Sequence, residues 1–148
     1  CTQEVANQFA NGMEFFNTFG GNPVSCAIGA EVIRTVKREQ LQKNALEIGN
    51  YLKKELLALA TQFPITKDVR GEGLFLGIEL VDKNLNPLAN HADYIANRMK
   101  DHGILMSTDG PDHNVLKIKP PLVFSLQNAK ELLGYLKKIL GEDFMKNF

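Results

Sequence analysis

The sequence has no tryptophan, only two cysteines in 148 residues, and no net charge. The balanced charge argues against nucleic acid as the main partner, because phosphate backbones are bound by an excess of lysine and arginine. Cys1 and Cys26 lie outside any CxxC or Cys/His cluster, so neither a structural zinc site nor a disulfide framework is indicated. Cys26 falls within a helical pattern, and we expect it to be a small core residue.

Long apolar runs are also missing, and none approaches the ~20 residues that a transmembrane helix needs. The polar, acidic start does not resemble a secretory signal peptide. We therefore expect a reduced, cytoplasmic protein without a membrane partner. Because the chain begins with Cys1 and not with methionine, we expect it to be a piece of a longer protein, with the rest of its own polypeptide as a partner.

Groups for nucleophilic or metal chemistry are equally scarce. The three histidines are scattered, and we interpret them as loop and helix-end residues: His91, His102 and His113. No Ser/His/Asp or Cys/His spacing indicates nucleophilic catalysis, and no pair of carboxylates stands out for acid–base work. The sequence therefore predicts no metal site and no catalytic residue within this chain.

The hydrophobic pattern predicts an α+β fold with a small, largely antiparallel sheet covered by helices. Apolar residues at helical spacing predict four helices, over 24–38, 41–59, 92–102 and from Ser125 onward. Alternating residues predict three strands, over 65–80, 104–107 and 115–119. Residues 108–113 are rich in Asp, Gly and Pro and predict a loop. Residues 1–17 form an amphipathic lead-in with helix-like spacing.

The most distinctive local pattern is Gly20-Gly21-Asn22-Pro23 at the start of a helix. Asn22 can cap that helix, and Pro23 suits its first position. The two glycines allow the backbone to turn its N–H groups toward one point, where the helix dipole adds positive charge. With the Thr18 hydroxyl nearby, these groups can form a phosphate site. The alternative is a plain tight turn before a capped helix.

Two further segments carry cations that can hold an anion. On a strand, Lys117 and Lys119 share one face about 7 Å apart, while Leu116 and Ile118 share the other. The alternative for the lysines is a solvated outer face. Arg70, in the segment Arg70–Gly73, can grip a carboxylate or phosphate, or it can tie down a loop through backbone carbonyls.

Taken together, these segments resemble the class III pyridoxal-phosphate (PLP)-dependent aminotransferases, in the same order and at similar separations. The segment Glu14–Pro23 is similar to the family's TFGGNP motif with its lead-in. The segment Val69–Leu80 is similar to its VRGxGL…GIEL strand, and Lys117–Leu122 to its RxxPPL strand. The match covers nearly the whole chain.

The resemblance implies the fold-type I homodimer and a division of this chain into three parts. Residues 1–23 would be a remnant of the large PLP-binding domain, 24–61 the long interdomain helices, and 62–148 the small C-terminal α+β domain. Thr18, with Gly20, Gly21 and Asn22, would bind the PLP phosphate of the other subunit. The lysine that carries PLP in this family lies upstream of the TFGGNP motif. We therefore expect this fragment alone to be inactive and to bind no cofactor.

One departure from the family pattern bears on the substrate. Lys117 replaces the arginine that holds a substrate carboxylate in typical members, and lysine lacks the bidentate fork. The runs Ser107–Pro111 and Asn114–Pro121 resemble most the ethanolamine-phosphate phospho-lyase branch, and the chain as a whole resembles that branch and the alanine-glyoxylate aminotransferase-like branch. The resemblance to the class III family as a whole implies transfer of an amino group between an amine or amino acid and a 2-oxo acid. The alternatives are a phospho-lyase acting on phosphoethanolamine-like substrates and a non-catalytic dimerisation or interaction module. In the enzymatic readings, Lys117, Lys119 and Arg70 are the substrate-binding candidates.

Overall fold

The computed structural model describes residues 1–147 and divides the chain into two compact units. The first unit is Cys1–Thr35, and the second runs from Val36 to the end of the described chain. The family resemblance implies that residues 24–61 form interdomain helices, and this division of the chain stays a prediction. In the structure, the second of those helices belongs to the second unit, because its leucines are buried in that unit's core.

The first unit contains α1 (Gln3–Phe9) and most of α2 (Pro23–Arg38). Neither helix has a buried residue. Helix α1 is shorter than the apolar spacing of residues 1–17 indicated, because the chain leaves helical geometry at Ala10 and Gly12 adopts a φ of 83°. Helix α2 begins at Pro23 as predicted. Its first amides are capped by Asn22, whose Oδ1 accepts from the N–H groups of Val24 and Ser25 at 3.0 and 3.1 Å.

The second unit is an antiparallel four-stranded sheet with helices packed on one face. Its elements are α3 (Leu41–Ala60), β1 (Thr66–Glu72), β2 (Phe75–Leu80), α4 (Ala89–Asp101), β3 (Ser107–Asp109), β4 (Val115–Ile118), α5 (Leu126–Leu140) and a short 3₁₀ helix, Asp143–Lys146. The strand order is β1-β2-β4-β3. The predicted α+β class and the predicted antiparallel sheet are confirmed.

The core lies between the sheet and helices α3, α4 and α5. Alternation along the strands sends one set of side chains inward: Leu76, Ile78 and Leu80 from β2, and Leu116 and Ile118 from β4. The inner faces of the helices meet them with Leu52, Leu56, Ile95, Met99, Leu136 and Ile139, all nearly inaccessible to solvent. Burial of so many large aliphatic side chains, each worth about 1.5–3 kcal/mol, stabilises this unit.

The segment 65–80 is a hairpin and not the single strand that its alternation indicated. Glu72 pairs with Phe75, which leaves Gly73 and Leu74 as a two-residue turn. Gly73 adopts a φ of 55°, a conformation that glycine reaches without steric cost. The apolar alternation continues through the turn because Leu74 is itself buried, and this hides the break in the sequence pattern.

Strand β3 lies later in the chain than predicted. The prediction placed it at 104–107 and assigned 108–113 to a loop, yet Thr108 and Asp109 are strand residues. They pair with Leu116 and Val115 of β4. Cross-strand pairing therefore outweighs the turn-like composition of the Asp-Gly-Pro segment.

Two expectations about side chains also change. Cys26 is exposed, as is Cys1, because α2 has no core to enter within the first unit. His91 is buried near the start of α4, whereas His102 follows the end of that helix and His113 lies in the loop before β4. Within residues 1–147, no helix has the length and apolar character to cross a membrane, and no cluster of His, Cys, Asp or Glu suits a metal ion.

Candidate functional site

The turn before α2 presents donors that are already used and donors that are available. Asn17 Oδ1 accepts from the N–H groups of Phe19 and Gly20, both at 3.1 Å. Asn22 is occupied by capping the helix, as described above. Within residues 1–147, the amide N–H groups of Thr18 and Gly21 and the Thr18 hydroxyl have no hydrogen-bond partner.

This remaining donor set fits a phosphate group. Gly21 has a φ of 73°, and a Cβ built on it would meet nothing within 4 Å, so space is open beside its Cα. A hydroxyl and backbone N–H groups at the mouth of a helix are the donors that bind phosphate oxygens. Thr18 and Gly21 can supply them, whereas Gly20 and Asn22 contribute by shaping the turn.

The second candidate region is the face of the sheet opposite the core, here called the open face. Strand register places Arg70, Gly77, Lys117 and Ser107 in one row across the four strands. The adjacent row contains Asp68, Glu79, Val115 and Asp109. The row with the two cations therefore lies beside the row with the three carboxylates. Within these rows, Gly77 separates Arg70 from Lys117, and Val115 separates Glu79 from Asp109.

Arg70 is held by carboxylates and not by the backbone carbonyls of a loop. Its Nη1 donates to Asp68 Oδ2 at 2.8 Å and to Glu79 Oε2. The hydrogen bonds to Asp68 and then Glu79 raise the pKa of Arg70 above its usual value. An added anion at Arg70 must therefore share the guanidinium with two carboxylates.

Lys117 is paired in the same way. Its Nζ donates to Asp109 Oδ2 at 2.8 Å, across from β4 to β3. That hydrogen bond, followed by one from the Gly110 amide, holds the pKa of the Asp109 carboxyl below its ordinary value. The pair is partly exposed, since 31% of the Lys117 side chain and 56% of the Asp109 side chain remain accessible. The ammonium is thus oriented on the open face and stays within reach of a ligand.

Two cavities flank Lys117. One has a volume of about 310 Å³ and is lined by Arg70, Phe75, Val115 and Asp109 in addition to Lys117. The other, of about 630 Å³, is lined by Lys119 and Ser107 and by residues of α5. The predicted alternation is confirmed, because Leu116 and Ile118 are buried. Lys119 is exposed and makes no ion pair with any of residues 1–147.

Sequence reasoning missed the carboxylates of this face. Asp109 lies in a segment whose composition predicts a loop, and Asp68 and Glu79 lie in a segment whose alternation predicts one strand. A clue was present in the spacing of Ser107 and Asp109, which share a face once the strand is extended by two residues. Only the register with β4 brings Asp109 to Lys117.

A comparison with known protein families identifies the family of this chain. The aminotransferase class-III family profile matches residues 1–140. The chain belongs to the class III aminotransferases. This family is PLP-dependent, which agrees with the phosphate-type donor set at the turn before α2.

Among curated proteins, this class III chain is similar to an alanine–glyoxylate aminotransferase 2-like protein of Drosophila melanogaster. The two are 50% identical over 139 residues, which are 90% of this chain and 28% of the relative. It is also 41% identical to an alanine–glyoxylate aminotransferase 2 homologue of Arabidopsis thaliana that is named mitochondrial, over 89% of this chain and 28% of the relative. The chain thus spans less than a third of these relatives.

Among solved structures, the class III chain is similar to a phospholyase from Arthrobacter in complex with phosphoethanolamine. The TM-score is 0.86 at 40% identity, and the match covers 95% of this chain and 34% of that one. A Bacillus anthracis aminotransferase matches with a TM-score of 0.80 at 30% identity, over 93% of this chain and 33% of that one. Both matches agree with the predicted C-terminal part of a PLP-enzyme fold.

Proposed function

We propose that this chain is the C-terminal part of a PLP-dependent enzyme that transfers an amino group between an amine or amino acid and a 2-oxo acid. The observation that carries the proposal is the donor set of Thr18 and Gly21 at the mouth of α2, which has no hydrogen-bond partner among residues 1–147, in a chain of this family. When bound, PLP supplies the electron sink for chemistry at the substrate amine.

The role of the turn is to bind and orient the phosphate of the cofactor. The Thr18 hydroxyl would donate a hydrogen bond to one phosphate oxygen, while the N–H groups of Thr18 and Gly21 would donate hydrogen bonds to the others. Asn17 and Asn22 keep the turn in shape by accepting from four neighbouring amides. In the homodimer that we propose, this turn serves the cofactor of the partner subunit.

The role of the open face is to hold the anionic end of the substrate. Lys117 lines both cavities, Lys119 lines the 630 Å³ cavity, and Arg70 lines the 310 Å³ cavity. Lys119 has the least hindered charge, since Lys117 and Arg70 already contact carboxylates. A rim of partly neutralised cations favours a small substrate that carries both an ammonium and an anionic group.

A phospho-lyase acting on phosphorylated amines is the second candidate. Lys117 supports it. Arginine matches a planar carboxylate through its bidentate fork, whereas the lysine ammonium is a point charge that binds a phosphate as readily as a carboxylate. The similarity to a phospholyase that was solved with phosphoethanolamine also supports it. We place either activity in the cytoplasm, although the Arabidopsis thaliana relative is named mitochondrial.

The proposal is tested by Thr18→Ala in the complete reading frame that contains this chain. Loss of a hydrogen bond to a charged phosphate should weaken PLP binding about tenfold, equivalent to ~1.5 kcal/mol. Fluorescence titration of the cofactor-free protein measures the dissociation constant. Thr18→Ser keeps the hydroxyl and should keep the affinity. Equal PLP affinity in the alanine variant and the parent would count against the assignment. The 148-residue chain by itself should lose added PLP on dialysis.

A further inference from the structure

The carboxylate of Asp109 is a feature of the open face to which the proposed function gives no role. Its Oδ2 accepts from Lys117 Nζ at 2.8 Å, and its Oδ1 accepts from the Gly110 amide at 2.8 Å. An ionised carboxylate offers about four acceptor sites, and an ammonium offers three donors. Both members of the pair therefore retain hydrogen-bonding capacity for a third group.

That third group can enter the 310 Å³ cavity beside the pair. Asp109, Lys117 and Arg70 line its polar side, with the Arg70 guanidinium already shared by two carboxylates, and Phe75 and Val115 contribute apolar surface. A ligand group that contacts both Lys117 and Asp109 meets a hydrogen-bond donor at Lys117 and an acceptor at Asp109. The group must therefore accept one hydrogen bond and donate another.

Anionic groups differ in their ability to meet this demand. A carboxylate at neutral pH only accepts hydrogen bonds. A phosphate monoester has a second pKa of about 6, so a fraction of it carries a proton on one oxygen near neutral pH. That oxygen can donate to Asp109 while another accepts from Lys117. A sulfate ester has a similar shape but has no proton to donate.

We propose that Asp109 is a specificity-determining residue, which makes the Lys117 site select a phosphate monoester over a carboxylate or a sulfate ester. An acceptor-only ligand would place its negative charge against the Asp109 carboxylate without a bridging proton. The inference rests on the phospho-lyase form of the proposed function, because it names the group at the far end of the amine.

The test compares two ligands of nearly equal shape, phosphoethanolamine and its sulfate-ester analogue, by calorimetric titration at pH 6, where about half of the phosphate ester carries the proton that Asp109 accepts. The complete reading frame that contains this chain is used, loaded with pyridoxine 5′-phosphate, which lacks the aldehyde of PLP and therefore lets neither ester react. The parent protein should bind the phosphate ester about tenfold more tightly, as expected of one charge-assisted hydrogen bond. In Asp109→Asn the ratio should fall several-fold, because the side-chain amide donates to either ester. Asp109→Glu remains an acceptor and should keep a preference for the phosphate ester.

Asp112→Asn is the matched control. Asp112 is exposed in the loop that follows Asp109, its side chain has no ion pair or hydrogen bond to any of residues 1–147, and its substitution removes the same charge. It should leave the ratio unchanged. Equal binding of both esters by the parent, or an undiminished ratio in Asp109→Asn, overturns the proposal. Because the ratio is read from binding without turnover, a protein that shows the expected ratios but releases no phosphate when loaded with PLP supports the role of Asp109 and contradicts the phospho-lyase activity.

Discussion

Gly49→Ala tests the contact through which α3 positions the β1–β2 hairpin that carries Arg70. A Cβ built on Gly49 would lie 2.1 Å from the carbonyl oxygen of Gly73 and 2.6 Å from its Cα. These are backbone atoms, so the helix or the hairpin must move, and overpacking of this kind costs about 3 kcal/mol. Alanine recovers about 1 kcal/mol of helix propensity. We therefore expect a net loss of about 2 kcal/mol and a Tm lower by about 4–8 °C.

Gly134→Ala in α5 provides the control, because it makes the same change at an exposed helical site. A Cβ there would meet nothing within 4 Å. Only the gain in helix propensity remains, and we expect about 0.5–1 kcal/mol of added stability. Thermal unfolding followed by far-UV circular dichroism measures both variants. If Gly49→Ala melts at or above the temperature of the parent, the tight approach of α3 to the hairpin is not what the structure indicates.

Two other predictions concern the end of the chain and its beginning. Glu142 accepts from Arg98 and from the Tyr94 hydroxyl, and these bonds lower its pKa from 4.5 to about 2. The stabilising contribution of the Glu142 carboxylate is therefore complete above pH 4.5 and is lost as the pH falls through 2. We expect Glu142→Gln to lower Tm at pH 7 but not near pH 2. An equal decrease in Tm at both pH values would refute this. Phe16 and Phe19 are 83% and 87% exposed, and such apolar surface invites association. The 148-residue chain should self-associate in light scattering, and Phe16→Ser should reduce this; a monomer at high concentration would contradict it.

Local pattern was sufficient to place the helices of the chain. The apolar stripe of 41–59 corresponds to α3, Ser125 caps α5, and Asn22 caps α2. Each of these features depends on residues within a few positions of one another, so the sequence contains the information directly. The strand boundaries at 65–80 and 104–109 were less predictable, because they depend on which other strand is available for pairing.

The sequence by itself determined the faces of the strands: alternation already separates Leu116 and Ile118 from Lys117 and Lys119. It did not determine which charged side chains on the open face form pairs. Asp109 meets Lys117, and Glu79 meets Arg70, through hydrogen bonds between different strands. The tertiary structure alone decides such pairs, since the strand order and register of the sheet select which side chains become neighbours.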